Sequence, residues 1–173
     1  MTFFVTGLPR SRTAWIANFL TYGDSLCYHE GLNGCNSMKE YQDKLEGNGD
    51  SNTYLAVFDY NKYFPNAKKI IIDSDVDKAI EFSREVCGTD VTKTIVKYKE
   101  SLDAMEGLHI PLKKLNNSLG EIWNYVYDEQ FNKKRSEMLI DLNVQMLDPH
   151  AIDLQSLSSF NKSISNSIVW EGF

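Results

Sequence analysis

The chain has 173 residues, enough for one substantial core and short for two, so a single domain over 1–173 is expected. Its content of 42% hydrophobic, 24% charged and 12% aromatic residues is that of a folded globular protein and argues against disorder except at the ends. A net charge of −6 and a pI near 5.1 set the average surface against nucleic acid and anionic membrane, so an anion site has to be local and its ligand small.

Phe3 to Thr6 is a short apolar, β-branched and aromatic run that predicts a first strand. Gly7 and Pro9 break it, and Thr13 opens a helix with apolar positions Ala14, Trp15, Ala17, Phe19 and Leu20. A loop of this shape turns backbone N–H groups and the positive end of a helix toward an anion, and Arg10, Ser11, Arg12 and Thr13 add cations and hydroxyls. Leu26 to His29 reads as a short second strand after the turn Tyr22-Gly23-Asp24-Ser25, and it ends at the polar pair His29 and Glu30. Asn36 or Ser37 then caps a helix, which ends before Gly47-Asn48-Gly49-Asp50-Ser51-Asn52, the most loop-like stretch of the chain.

Tyr54 to Phe58 predicts the third strand, Asn61 to Phe64 a short helix, and Lys69 to Ile72 a central strand covered on both faces. Asp73-Ser74-Asp75 ends that strand and caps a helix from Val76 to Val86 with Ala79, Ile80, Phe82, Ser83 and Val86 inward. Thr89-Asp90 starts another helix to about Met105 with Ile95, Tyr98, Leu102 and Met105 on one side, and Leu108 to Leu112 forms a strand that Pro111 assigns to a sheet edge. Helices at Leu119 to Val126 and Lys133 to Asp141 follow, and the segment from Ser156 to Ser167 is rich in Ser and Asn. Alternating strands and helices imply a mainly parallel sheet flanked by helices, with ligands at the strands' carboxyl ends. Those ends are Gly7 to Thr13, His29-Glu30, Asp59 and Asp73 to Asp75.

Cys27, Cys35 and Cys87 lack a CxxC or Cys/His metal spacing, so neither a disulfide nor a metal site is expected, and free thiols suit a reducing compartment. The sequence shows no charged leader with an apolar h-region and no run of the roughly 18 apolar residues that a membrane span needs. A cytoplasmic protein without a membrane partner is the expectation.

The Walker loop G-x-x-x-x-G-K-[ST] places lysine on the β and γ phosphates and a hydroxyl on magnesium. In Gly7-Leu8-Pro9-Arg10-Ser11-Arg12-Thr13-Ala14, Arg12 stands at the second glycine, Thr13 at the lysine and Ala14 at the hydroxyl. A nucleotide kinase or NTPase working through this loop is therefore disfavoured, and remains an alternative reading alongside a non-catalytic interaction protein with a relic anion site.

The segment Pro9-Arg10-Ser11-Arg12-Thr13-Ala14-Trp15 resembles the P-[KR]-S-G-T-[TS]-x loop, often followed by tryptophan, of sulfotransferases that use 3′-phosphoadenosine 5′-phosphosulfate (PAPS). Small members of this kind also occur in bacteriophages. The resemblance implies a three-layer P-loop NTPase-like α/β fold, a small-molecule nucleotide and an acceptor as partners, and sulfuryl transfer to a hydroxyl or amine without a metal. It implies that Arg10 stabilises charge at the transferring group and that Gly7, Pro9, Ser11, Arg12 and Thr13 line the phosphate site. Arg12 replaces the family's glycine, and Asp73-Ser74-Asp75 stands where the family places an arginine for the 3′-phosphate, with Ser83 and Arg84 further along. The family also closes a basic C-terminal segment over the cofactor, which makes Arg135 a further phosphate candidate. An acceptor hydroxyl has to lose a proton, and topology offers His29 and Glu30 as the base, with Asp59 second. As residues alone, His29 and Glu30 fit a solvated loop pair equally well, His109 a satisfied sheet residue, and Asp73 to Asp75 helix capping.

Overall fold

The computed structural model describes residues 1–53, 55, 60–88, 90–131 and 133–141, without the side chains of Cys87, Arg135, Met138 and Asp141. The chain runs β1 (Phe3–Gly7), α1 (Thr13–Leu20), β2 (Cys27–His29), α2 (Met38–Lys44), β3 (Gly49–Asn52), α3 (Tyr60–Tyr63), β4 (Lys68–Asp73), α4 (Val76–Cys87), α5 (Thr92–Asp103), β5 (Leu108–Pro111), a 3-10 segment (Leu112–Asn117), α6 (Leu119–Tyr127) and α7 (Lys133–Asp141). Five strands form one sheet in the order β2-β3-β1-β4-β5, with every pairing parallel. β1 is central, and β5 with its Pro111 lies at the edge, where a missing N–H breaks no ladder.

Side-chain alternation along the strands decides how the helices are shared out. Phe3, Val5, Ile70, Ile72 and Ile110 face one way and pack with Trp15, Ile16 and Phe19 of α1, with Leu119, Ile122 and Trp123 of α6, and with Leu139 of α7. Phe4 faces the other way, onto Tyr41 of α2, Tyr60 of α3 and Phe64, while Ile71 meets Ala79 of α4 and Ile95 and Leu102 of α5. Helices thus cover both faces, which is why β1 and β4 read as continuous apolar runs. Trp15 stacks on Phe19 with centroids 5.5 Å apart, and its indole N–H donates to the Leu139 carbonyl at 2.7 Å, docking α7 onto α1.

Local signals set the helix ends. Ser37 caps α2 by accepting the Glu40 N–H at 3.1 Å. Asp75 caps α4 by accepting the Asp77 and Lys78 N–H groups, and Gly88 closes that helix in the left-handed region. The inward stripe of α4 ends earlier than its sequence suggests, since Val86 is 67% exposed.

A second sequence expectation is overturned. The third strand is Gly49–Asn52, inside the stretch that reads as loop, and it pairs with β1 from Phe3↔Gly49 to Thr6↔Asn52. Asp50, Ser51 and Asn52 are completely buried there. They are polar because each makes a specific bond, so the strand's burial leaves no trace in hydropathy. Of the expected strand at 54–58, all but the buried Leu55 lies outside the described residues, as does Asp59.

Candidate functional site

The chain leaves β1 at Gly7 and re-enters regular structure at Thr13, at the carboxyl end of the central strand. Connections run from β1 toward β2 on one side, and from β3 across to β4 on the other, so the strand order reverses at β1, where open α/β sheets bind ligands. The turn is tight. Ser11 N–H donates to the Leu8 carbonyl at 3.2 Å, and the Ser11 side chain folds back inside the turn toward Gly7. Its hydroxyl is fully buried and, among the described residues, makes no hydrogen bond.

Arg10 and Arg12 both adopt left-handed backbone angles, φ 72° and 62°. Arg12 is the N-cap of α1, and among the described residues no side chain caps that end of the eight-residue helix. The two guanidiniums splay toward opposite faces of the sheet. That of Arg10 sits 4.8 Å over the Phe82 ring of α4, while that of Arg12 lies 4.7 Å over Trp15 and donates to Asn116 Oδ1 at 3.0 Å. Neither is paired with a carboxylate among the described residues. Burial lowers the Arg12 pKa, which marks a cation partly stripped of water.

The left-handed angle of Arg12 is strain that a glycine would not carry, worth roughly 1–2 kcal/mol. Its stacking on Trp15 returns about 0.5–1 kcal/mol, and the exposed bond to Asn116 about 0.5–1.5 kcal/mol. Arg12→Gly is therefore expected to leave stability within about 1 kcal/mol of wild type in urea unfolding, while weakening sulfate binding in calorimetric titration. A loss above roughly 2 kcal/mol would mean that the side-chain contacts outweigh the strain.

Across the loop, Thr13 Oγ1 lies 3.3 Å from Nε2 of His29, the last residue of β2. The Thr13 carbonyl accepts the Ser51 hydroxyl of β3 at 2.7 Å, so the neighbouring strand holds the first turn of α1. Glu30 follows His29 with φ 56°, and its carboxylate accepts Asn33 Nδ2 at 3.2 Å. Burial lowers the His29 pKa from 6.5, with Glu30 pulling the other way. The unfolded chain then takes up this proton first as pH falls. The contribution of the neutral ring is complete above 6.5 and is lost as pH drops through the lowered folded value. His29→Gln is expected to flatten that part of the stability profile, read as unfolding free energy between about pH 5 and 7.5.

The structure thus brings together Gly7, Pro9, Arg10, Ser11, Arg12, Thr13 and His29, with Glu30 adjacent. Ser83 faces the buried side of α4 next to Phe82, the ring under Arg10. Arg84 is turned to Thr92 Oγ1 at 3.4 Å and to Asp90 at 3.7 Å. The side chain of Arg135, on α7, is outside the described residues. Asp75 is spent on capping α4, and Asp73 lies 3.4 Å from His109, whose other ring nitrogen lies 2.9 Å from the Met105 carbonyl. Ser74 between them has a buried hydroxyl without a hydrogen-bond partner among the described residues. Sequence reasoning misses Asp50, Ser51, Asn116 and Phe82 as supports of the site; polar residues in a Gly/Asn-rich stretch carry no strand signal, and Phe82 reads only as core.

The fold and this loop define an α/β protein whose central parallel strand ends in a basic turn suited to an anion. Comparison with protein-family models, curated proteins and solved structures finds no match to the chain. Among the described residues no helix is long and apolar enough to cross a membrane.

Proposed function

We propose that the chain is a single-domain P-loop protein of the sulfotransferase kind, which binds PAPS at the β1–α1 loop and transfers its sulfuryl group to a hydroxyl or amine. One observation carries the reading: in a protein of net charge −6, two arginines unpaired with acids, among the described residues, flank an uncapped helix N-terminus. The buried, unpartnered Ser11 hydroxyl inside the turn fits a phosphate oxygen, and that of Ser74 offers a neutral donor where the acids of its turn are already engaged. When bound, PAPS supplies an activated sulfuryl group, with adenosine 3′,5′-bisphosphate as the leaving group. Arg10 neutralises charge that builds on the sulfuryl oxygens and the leaving phosphate, while Ser11, Thr13 and the α1 amides donate to the 5′-phosphate. His29 or Glu30 would take the proton that the acceptor hydroxyl or amine loses on transfer.

Calorimetry with PAPS and with adenosine 3′,5′-bisphosphate is the direct test. Both are expected to bind without magnesium; failure of both with the fold intact, or magnesium-dependent binding of ATP or GTP alone, would overturn the reading. Arg10→Ala is expected to lower transfer by about 10²–10³-fold with an unchanged melting profile. Retained turnover would remove Arg10 from the chemistry.

A further inference from the structure

We infer that Asp50 is a positioning residue of this site, which fixes through the Gly31 N–H the corner that carries His29 and Glu30 beside the β1–α1 loop. The inference rests on reading that corner as the acceptor side of the transfer.

Asp50 is fully buried in β3. One of its carboxylate oxygens accepts the Gly31 N–H at 2.9 Å. The other accepts the Tyr41 hydroxyl and, at 2.8 Å, the Asn52 amide. Three donors and, among the described residues, no competing acceptor describe a carboxylate held in one orientation. Gly31 is gripped on its other side as well: its carbonyl accepts Lys44 Nζ at 2.7 Å and Cys35 Sγ at 3.4 Å. One residue earlier, Glu30 N–H donates to the Ser51 carbonyl at 3.1 Å. Glu30 bears a side chain yet sits in the left-handed region, a conformation that persists only where surrounding bonds enforce it.

Residue 31 has to be glycine for this grip. An added Cβ would stand 2.9 Å from Tyr28 Cβ and 3.2 Å from Asp50 Oδ1. A buried carboxylate is also a poor way to stabilise a strand, since apolar residues of similar volume do so without a desolvation cost. What an apolar residue cannot do is bond to Gly31. The neighbouring Ser51 bonds to the first turn of α1. Adjacent residues of one strand therefore hold the two halves of the site, loop and corner, in register.

NMR on the full chain, without nucleotide, tests this. The His29 ring faces Thr13 of α1, with Ser51 of β3 as its register partner and Glu30 as the charged group acting on it. In Asp50→Asn the carboxamide turns N–H donors against donors, so at least one of the three bonds is lost. The expected result is a His29 titration that moves up toward 6.5 and a Gly31 amide that exchanges roughly tenfold faster, while the amides of β4 keep their protection. Tyr41→Phe removes a different donor and is expected to leave the His29 titration in place. An unmoved His29 in Asp50→Asn, or an equal shift in Tyr41→Phe, would overturn the inference. Should Asp50→Asn not fold, the wild-type Gly31 amide decides: it is expected to be protected and to shift as Asp50 titrates, and exchange at open-loop rates would count against the grip. A nucleotide that fails to bind sinks the proposed activity and leaves this measurement standing.

Discussion

Gly7→Ala is expected to abolish sulfate and nucleotide binding at the β1–α1 loop and to lower stability by about 1–3 kcal/mol. The reason is steric, since Gly7 does not have a left-handed backbone. A Cβ there would lie 2.5 Å from the Ser11 hydroxyl and 2.8 Å from the Ile72 carbonyl. Ser11 can rotate away, but that expels the side chain that shapes the inside of the turn. The Ile72 carbonyl cannot move independently, because Gly7 and Ile72 are register partners in the ladder between β1 and β4. The substitution therefore either opens the loop or shears the two central strands. Urea unfolding and calorimetric titration with sulfate read both effects, and wild-type values in both would show that the loop does not depend on this close approach.

Asp50→Ala is expected to be the most damaging change in the sheet. It removes the acceptor that the Gly31 N–H, the Tyr41 hydroxyl and the Asn52 amide share inside the protein. Removing a buried carboxylate that three donors share is expected to cost roughly 3–5 kcal/mol. The effect also has a pH signature. Burial pushes the Asp50 carboxyl above its ordinary 3.8, against the pull of its three donors and Lys44. The folded chain then keeps this proton to higher pH than the unfolded chain does, so the contribution is complete below 3.8 and is lost as pH rises through the raised folded value. The stability gap between wild type and Asp50→Ala is therefore expected to be widest in acid and to narrow toward neutrality in denaturant melts. A gap that widens with pH would mean that the hydrogen bonds outweigh the burial.

How much of this was legible depended on where the partners of each residue lie. β1, α1 and β4 declare themselves because their burial is apolar and local, and Ser37 and Asp75 mark helix starts through bonds to residues within a few positions. β5 and its edge place follow from Pro111. β3 was illegible for the opposite reason: Asp50 answers to Gly31 and Tyr41, and Ser51 to Thr13, so their burial is set by contacts distant in sequence. The apolar run at 54–58 drew the strand expectation instead. At the site, the loop residues and the nearness of His29 follow from strand order and turn chemistry. The splay of the two arginines depends on Phe82 and Asn116, which no motif connects to the loop.

The central place of β1 bears on how the chain acquires its fold. Phe3 pairs with Gly49 on one side and Lys68 on the other, so the strand that ends in the candidate site precedes both of its partners in the chain. During synthesis its apolar face has no ladder to join until β3 and then β4 have followed, and parallel pairing of this kind is slow because distant segments have to meet before any bond rewards them. The loop that gathers Arg10, Ser11 and Arg12 is thus made before both strands that flank β1 and acquires its geometry only after them.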